Sequence, residues 1–597
     1  MTKLLKNILQ YSAAPILSLL IFTIIFQLWQ VDLNLPIFDY SGDALFSVFE
    51  MKSVIDNRWF LTNDFIGFPQ SLGQFNLYDF PLQADSIHFL IAKFFALFTS
   101  NPFLVTNCFF LSGFALISAT SFAVLRSFKI SVFSAVIVSI LYAFTPYHFS
   151  RNVTHLFLSN YLAIPLITML ALWIMADKIR VISYNKKHQL CFAPNLSFFI
   201  AAACCCVIAA NGIYYALYAT LIFVFAWFLR DLKKDSFVGN ISAPIALCSI
   251  IIFVLFLLYL PSFIYWFQNG GNGGVGNRDS IESEYYGLKI INLFLPVANH
   301  YLDYLRNLRF VFNEALSQNG EQASESLGIL ASMGFLFLIL WLFAQSQAGE
   351  KSVLQKTIKK YSLNENDQKL ISNLAGLNLL SVLFATIGGF VMFIAIPFPL
   401  IRSHARFSIF IAFFSLFVIA IIFDKALKKK KLFAPIFILI ILILAIFDQV
   451  GQVSAPILQS EKMKSAFISD RTFVQKIEST MPKDAMIFML PILGFPENAE
   501  PYDLLAGYLH SKNLRWSYPA IMNRPSSLWQ HEVVKMNFVD FISEIKNKGF
   551  SGIYLNQKMM AEEFSWPEVR QLIKQLKQVA QEPPLVSADF NLLFFEI

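Results

Sequence analysis

Charge is scarce in this chain. Only 14% of its 597 residues are Asp, Glu, Lys or Arg, too few for a soluble protein of ordinary composition. Charges are also nearly absent from the centres of its apolar runs, which argues against an ion pump built on intramembrane carboxylates. Cysteine is sparse as well: Cys108, Cys191, Cys204, Cys205, Cys206 and Cys248 lie in or beside apolar runs and form no CxxC pair, so they read as small packing residues rather than disulfides or ligands. There is no G-x-S-x-G elbow, no H-E-x-x-H pair, no Walker loop, no pair of half-length spans and no repeat of fixed period. The glycine run "NGGNGGVGN" at 269–277 follows no strand and precedes no Gly-Lys-Ser/Thr, so it is not a phosphate loop.

What fills the chain is apolar: 56% of residues are hydrophobic, 16% are aromatic, and 65 are Phe. A hydrocarbon core of about 30 Å needs roughly 20 apolar residues per helix. About eleven such spans are expected, near 12–31, 100–125, 130–145, 157–176, 197–211, 214–230, 241–266, 327–344, 371–396, 406–424 and 432–450. The first follows Lys3 and Lys6 but lacks a small-x-small cleavage site, so it reads as a retained helix rather than a signal peptide. The expected fold is a polytopic α-helical membrane domain over 1–450 followed by a small extracytoplasmic α/β domain over 451–597. In that second part the stretches "DAMIFMLPI", "SGIYLNQ" and "NLLFFEI" read as strands between helical patterns.

The formal charge of +7 is set by clusters at Lys3/Lys6, Arg126/Lys129, Lys178/Arg180/Lys186/Lys187, Arg230/Lys233/Lys234, Lys351/Lys356/Lys359/Lys360, and Lys425 with Lys428 to Lys431. They fall at every second boundary between spans, the positive-inside pattern, so they orient the chain and indicate membrane lipids, not nucleic acid, as the partner. The N-terminus is then inside, and the outer segments are 32–99, 146–156, 267–326, 397–405 and everything after 451. The outer loop 32–99 carries Trp59, Phe60, Phe65, Phe68, Phe75, Tyr78 and Phe80, too many aromatics for disorder. Its end, "DSIHFLIAKFFALFT", reads as an amphipathic surface helix. The outer loop 267–326 opens on the glycine run and reads as a hinge and lid.

Three outer clusters stand out. "FDYSGDALF" sets Asp39 and Asp43 four residues apart at the end of the first span, in a loop that also holds Asp32, Asp56, Asp64, Asp79 and Asp85. An outward carboxylate here suits proton abstraction from a hydroxyl or a divalent cation, and a solvated interfacial charge is the alternative. "PYHFSRNVTHLFLSN" supplies His148, Arg151 and His155, spaced to share a helical face and grip a phosphate; interfacial anchoring with Tyr147 is the alternative, and no third ligand stands nearby for zinc. "PFPLIRSHARF" places Arg402, His404 and Arg406 outside, against the positive-inside bias, which suits an anionic group or pairing with loop acids.

This arrangement resembles the GT-C superfamily of integral membrane glycosyltransferases, in particular bacterial polytopic members of the YfhO-like kind. The shared features are an acid just after the first span ("YSGDALF"), a long first outer loop ending in a surface helix, and a second long loop after the seventh span, in that order over about residues 1–330. The "RSHARF" loop and the tail with "MPKDAMIFMLPILGFPE" and "YLHSKNLRWSYPA" also resemble segments of the bacterial relatives. The resemblance implies transfer of a sugar from a polyprenyl-phosphate-sugar donor to a glycan, lipid or protein acceptor on the outer face of the bacterial cytoplasmic membrane. It carries the catalytic acid/base position onto Asp43, with Asp39 second. Arg402, Arg406 and Arg151 become candidates for the donor phosphate, and His148, His155 and Asp79 for substrate contact. Many members carry a further acid between spans three and four, and some use it for a divalent cation. That loop has no carboxylate here, so no cofactor is assigned, and Mg or Mn stays an open alternative. A non-enzymatic lipid-linked-saccharide translocator or envelope assembly subunit is the competing reading.

Overall fold

The computed structural model describes residues 3–57, 59–69, 72–80, 82–184, 189–230, 237–276, 278–315, 325–345, 362–397, 399, 402–429, 433–452, 455–496 and 501–597. The orienting lysines at 186–187, 233–234, 351–360 and 430–431 lie outside the described residues.

The chain opens with α1 (Lys3–Ile25), α2 (Gly42–Asp56), α3 (Ser86–Ala96), α4 (Pro102–Ser127), α5 (Val132–Ala143), α6 (Pro146–Arg151), α7 (Leu156–Ser159), α8 (Ala163–Met175), α9 (Leu196–Ala209), α10 (Ile213–Leu229) and α11 (Phe237–Asn269). Capping chemistry sets several starts. Asn101 accepts from the Phe103 N–H ahead of α4, with Pro102 at the first helical position, and Asn195 accepts from Phe198 N–H ahead of α9. A helix occupies each stretch expected to span, but among the described residues six are both long and apolar enough to cross a membrane. Four others, α8, α9, α10 and Ile329–Gln345, are apolar but shorter. The bundle centres on the helix Ser408–Lys429, buried along nearly its whole length between α5, Ile329–Gln345 and Glu365–Ala385. Gly334 makes that packing possible, because a Cβ there would collide with the Ser415 carbonyl.

The basic helix ends gather at one end of the bundle, where Ser131 N–H donates to Asp424, Asp424 pairs with Lys428, and Lys425 pairs with Asp367. The first outer loop, the 146–159 segment and the C-terminal residues meet at the other end. α3 runs where a surface helix is expected, exposing Leu90, Phe94, Leu97 and Phe98 while burying His88, Phe89 and Ala92. α11 has 33 residues, about 50 Å at the usual rise, longer than a hydrocarbon core is thick.

At that end stands one seven-stranded sheet ordered β2-β1-β6-β5-β7-β9-β8. β1 (Thr62–Gly67) and β2 (Gln74–Asn76) come from the first outer loop. β5 (Met486–Leu490), β6 (Arg515–Trp516), β7 (Phe550–Asn556), β8 (Leu585–Val586) and β9 (Leu592–Glu596) follow residue 451; the two-stranded β3 (Ile182–Tyr184) and β4 (Leu190–Phe192) stand apart. β5 is buried at every position and pairs in parallel with β6 and β7, as expected of a strand covered on both faces. The seam is β1 with β6, also parallel, where Ile66 pairs with Trp516. The boundary expected at 450/451 therefore does not separate the C-terminal sheet from the first loop.

A buried ion pair closes this seam. Arg524 meets Asp79 through two hydrogen bonds of 2.6 and 2.7 Å, and the Asp79 carboxylate also accepts from Trp266 Nε1 at 3.0 Å and Asn272 Nδ2 at 3.2 Å. Arg524 donates further to the Asn269 and Gly270 carbonyls, each at 2.9 Å, so one cluster ties the first loop, the end of α11, the glycine run and the C-terminal unit. Hydrogen bonds to a charged group are typically worth about 1.5–3 kcal/mol each, and Asp79 accepts several. Asp79→Ala should therefore lower the melting point of the purified protein and expose 269–276 to limited proteolysis; unchanged melting and cleavage would contradict the clasp.

Candidate active site

The turn that presents Asp43 is built by its neighbour. Asp39 Oδ1 accepts from Tyr40 N–H at 2.7 Å and from the Ser41 hydroxyl at 2.9 Å, so Asp39 shapes the turn. Gly42, at φ +46°, enters α2 in the left-handed region that favours glycine, and its N–H donates to Asp503 at 2.9 Å. Asp43 then sits in the first turn of α2, where the helix dipole favours an anion, with its side chain 49% exposed. Partial burial, then the charge of Asp39, pushes its carboxyl above the usual range.

Two further acids stand behind it. Glu50 lies two turns along α2 and is buried; burial and then the charges of Asp85 and Asp43 hold its pKa well above normal. Asp85 is pushed up to about 7 by burial. The Asn211-Gly212 turn lies against it, for a Cβ at Gly212 would stand 3.2 Å from Asp85 Oδ1 and Gly212 N–H donates to the Ala84 carbonyl at 2.8 Å. Sequence reasoning missed Glu50. Its one signal is a lone carboxylate seven residues after Asp43 on an otherwise apolar helix face.

The 146–159 segment brings the next groups. His155 Nε2 lies 3.8 Å from Asp43 Oδ2, and His155 N–H donates to the Arg151 carbonyl at 2.8 Å. Arg151 is buried, with its guanidinium 5.1 Å from the Tyr147 ring centre. Arg406, also buried, lies 4.1 Å from the Tyr214 ring centre. Tyr215, beside Tyr214 at the start of α10, holds its hydroxyl 3.4 Å from that of Tyr147. Arg151 from the 146–159 segment and Arg406 from the 402–406 segment thus flank one tyrosine cluster, and Arg151 stands four residues from His155.

Other expected site residues are placed differently. His148 does not share a face with His155. It is fully buried, donates Nδ1–H to the Ala143 carbonyl at 3.0 Å, and stacks on Phe114 with ring centres 3.9 Å apart. Asp79, expected at the substrate, is saturated by the donors of the clasp. Arg402 pairs with Glu282 and lies over Tyr286, so it holds the loop after α11 against the 402–406 segment. Ala405 N–H adds a hydrogen bond of 3.1 Å to the Tyr286 carbonyl. The loop expected as a lid is fastened here and, through Asn272, at the clasp. Among the described residues no group of three or more His, Cys, Asp or Glu side chains is arranged to hold a metal ion, so the divalent cation of some GT-C enzymes finds no ready ligand set.

The C-terminal unit grips the turn beside Asp43. The Tyr40 hydroxyl donates to Asp470 Oδ2 at 2.9 Å and meets His510 Nε2 at 2.7 Å. Burial raises Asp470 to about 7 and lowers His510 to about 3, so at neutral pH the imidazole is uncharged and donates Nε2–H to the tyrosine oxygen.

No protein-family model matches the chain, and no curated protein matches it. Three solved structures from Archaeoglobus fulgidus bear a distant overall likeness to the chain. One is the oligosaccharyltransferase AglB in complex with an inhibitory peptide and a dolichol-phosphate, at 10% identity and TM-score 0.38, covering 91% of this chain and 69% of that one. The second is the oligosaccharyltransferase complex with Zn and sulfate, at 10% and 0.37, covering 91% and 68%. The third is the apo form, at 12% and 0.38, covering 92% and 70%. Likeness at this level transfers neither residue roles nor activity.

The Asp470 shift gives a pH signature. An acid whose folded pKa is raised lends its stability below the unfolded value near 3.8 and loses it as pH rises towards about 7. In Asp470→Asn that loss is removed. The melting point of wild type relative to Asp470→Asn should therefore fall between pH 4.5 and 8, measured by differential scanning fluorimetry in detergent; a pH-independent difference would contradict the assignment.

Proposed function

We propose that this chain is a membrane glycosyltransferase of the GT-C kind, with the YfhO-like bacterial placement and all eleven spans crossing the membrane. It moves a sugar from a polyprenyl-phosphate donor to an acceptor hydroxyl at the outer face of the cytoplasmic membrane. The observation that carries the reading is His155 standing 3.8 Å from Asp43 and four residues from Arg151, whose tyrosine cluster Arg406 also joins.

The step is a single displacement. The acceptor oxygen bonds to the anomeric carbon as the bond from that carbon to the phosphate oxygen breaks, and the configuration inverts. The hydroxyl proton passes to Asp43, whose raised pKa makes it a stronger base than a solvated carboxylate. The electron pair departs with the lipid phosphate, and its charge is met by Arg151 and Arg406 at low dielectric. His155 positions the Asp43 carboxylate. The glycine-led segment shields the donor from water.

Purified protein in lipid with a series of polyprenyl-phosphate hexoses should release polyprenyl phosphate. Asp43→Asn should slow release by roughly 10²-fold or more at unchanged protein yield, the scale expected for a lost general base. Asp39→Asn should act more weakly, through the turn. Full activity in Asp43→Asn would overturn the residue assignment, whereas donor crossing the bilayer without release of polyprenyl phosphate would favour the translocator.

A further inference from the structure

A second recess lies away from Asp43, between the first outer loop and the C-terminal unit. It encloses about 470 Å³, inside the range of roughly 300–1,000 Å³ usual for small-molecule sites. Its wall joins Phe68, Phe75 and the stacked pair Tyr78 and Tyr265, whose ring centres are 5.0 Å apart, to the amides of Gln74 and Asn76. Phe75 reaches α2 through Phe49 at 6.0 Å and meets Phe495 at 6.4 Å. Phe495 in turn packs on Phe46 and Phe80, so a ring layer stands between the recess and the turn holding Asp43.

The recess is polar yet electrically balanced. Its charged residue, Arg524, is already neutralised by Asp79. The side chains of Gln74, Tyr78 and Tyr265 make no hydrogen bond among the described residues, which leaves amide and phenol groups facing the space beside flat rings. Aromatic faces with uncharged donors and acceptors suit a neutral polyhydroxyl ligand better than a phosphate. Tyr78 and Tyr265 also line an adjoining apolar groove of about 430 Å³ with Leu257, Leu260, Pro261 and Ile264 of α11. Leu257, Leu260 and Ile264 are exposed on one of the helices apolar enough to cross a membrane. The polar recess therefore lies next to a surface suited to an acyl or prenyl chain, with Tyr78 and Tyr265 lining both.

We propose that this recess and groove form a binding site for a neutral glycolipid, its sugar between Tyr78 and Gln74 and its tail along α11. As the seat of a membrane-anchored acceptor or product it rests on the proposed transfer reaction; as a binding site it does not.

The test uses the full chain in phosphatidylcholine nanodiscs doped equally with monoglucosyl-diacylglycerol, diacylglycerol, phosphatidylglycerol and undecaprenyl-phosphate-glucose. Lipid retained by the released protein is read by native mass spectrometry. Monoglucosyl-diacylglycerol should be retained at least about tenfold over diacylglycerol and phosphatidylglycerol, the discrimination that roughly 1.4 kcal/mol supplies. Tyr78→Ala and, on the exposed strand, Gln74→Leu should each abolish that preference, and Tyr78→Phe should keep most of it. Asp43→Asn should retain the glycolipid unchanged, and the same retention with no transfer activity in wild type would remove the transferase reading while leaving this site standing. Equal retention of all four lipids, selection of the phosphate-linked sugar alone through Gln74, or a preference surviving in a folded Tyr78→Ala or Gln74→Leu protein would overturn the proposal.

Discussion

The parallel pairing of β1 with β6 decides where the acids of the first outer loop stand. Ile66 and Trp516 are far apart in sequence, and joining them converts a loop between two helices into the edge of a sheet whose centre is β5. Everything near Asp43 follows from that fixture. Tyr40 reaches Asp470 and His510, Gly42 donates to Asp503, and Tyr508 donates to Asp56 at the far end of α2 at 2.9 Å. α2 is therefore clamped at both ends by residues that follow the last apolar helix. A carboxylate on so rigid a helix keeps its position, which is what a group acting on a bound hydroxyl requires.

The electrostatics run in layers from that helix. Asp43 is half exposed in the first turn of α2, while Glu50 and Asp85 behind it are driven towards their neutral forms by burial. The cations follow a parallel division. Arg402 and Arg524 are held by Glu282 and Asp79 and fasten the loop after α11, whereas Arg151 and Arg406 are buried against tyrosine rings. The two arginines of the "RSHARF" segment thus differ in partner: Arg402 is held by Glu282, and Arg406 lies against Tyr214.

Much of this was legible from local pattern. The apolar runs marked the helices, the alternation after residue 480 marked β5, β7 and β9, and "FDYSGDALF" picked out the two acids, of which Asp39 lies in the turn before α2 and Asp43 in its first turn. What was hidden depends on contacts distant in sequence. β6 has two residues and no period to read, and β1 alternates too briefly to announce its partner. Asp79 looked like one aspartate among seven because nothing nearby shows that Arg524, Trp266 and Asn272 converge on it. His148 looked like an outward imidazole because the break at Thr145-Pro146 turns α6 away from the line of α5 and drives that ring against Phe114. The shorter α8, α9 and α10 show the same limit, since hydropathy marks where apolar residues run and not where capping ends a helix.

The central claim is that Asp43 faces the reacting sugar while Arg151 and Arg406 face its phosphate. A cryo-electron microscopy structure of the protein with a non-hydrolysable polyprenyl-phosphonate-sugar tests this directly. The account predicts the anomeric carbon opposite Asp43, with room for one hydroxyl between them, and the phosphonate against the two guanidiniums. A sugar head group seated elsewhere, or a phosphonate out of reach of both arginines, would contradict it.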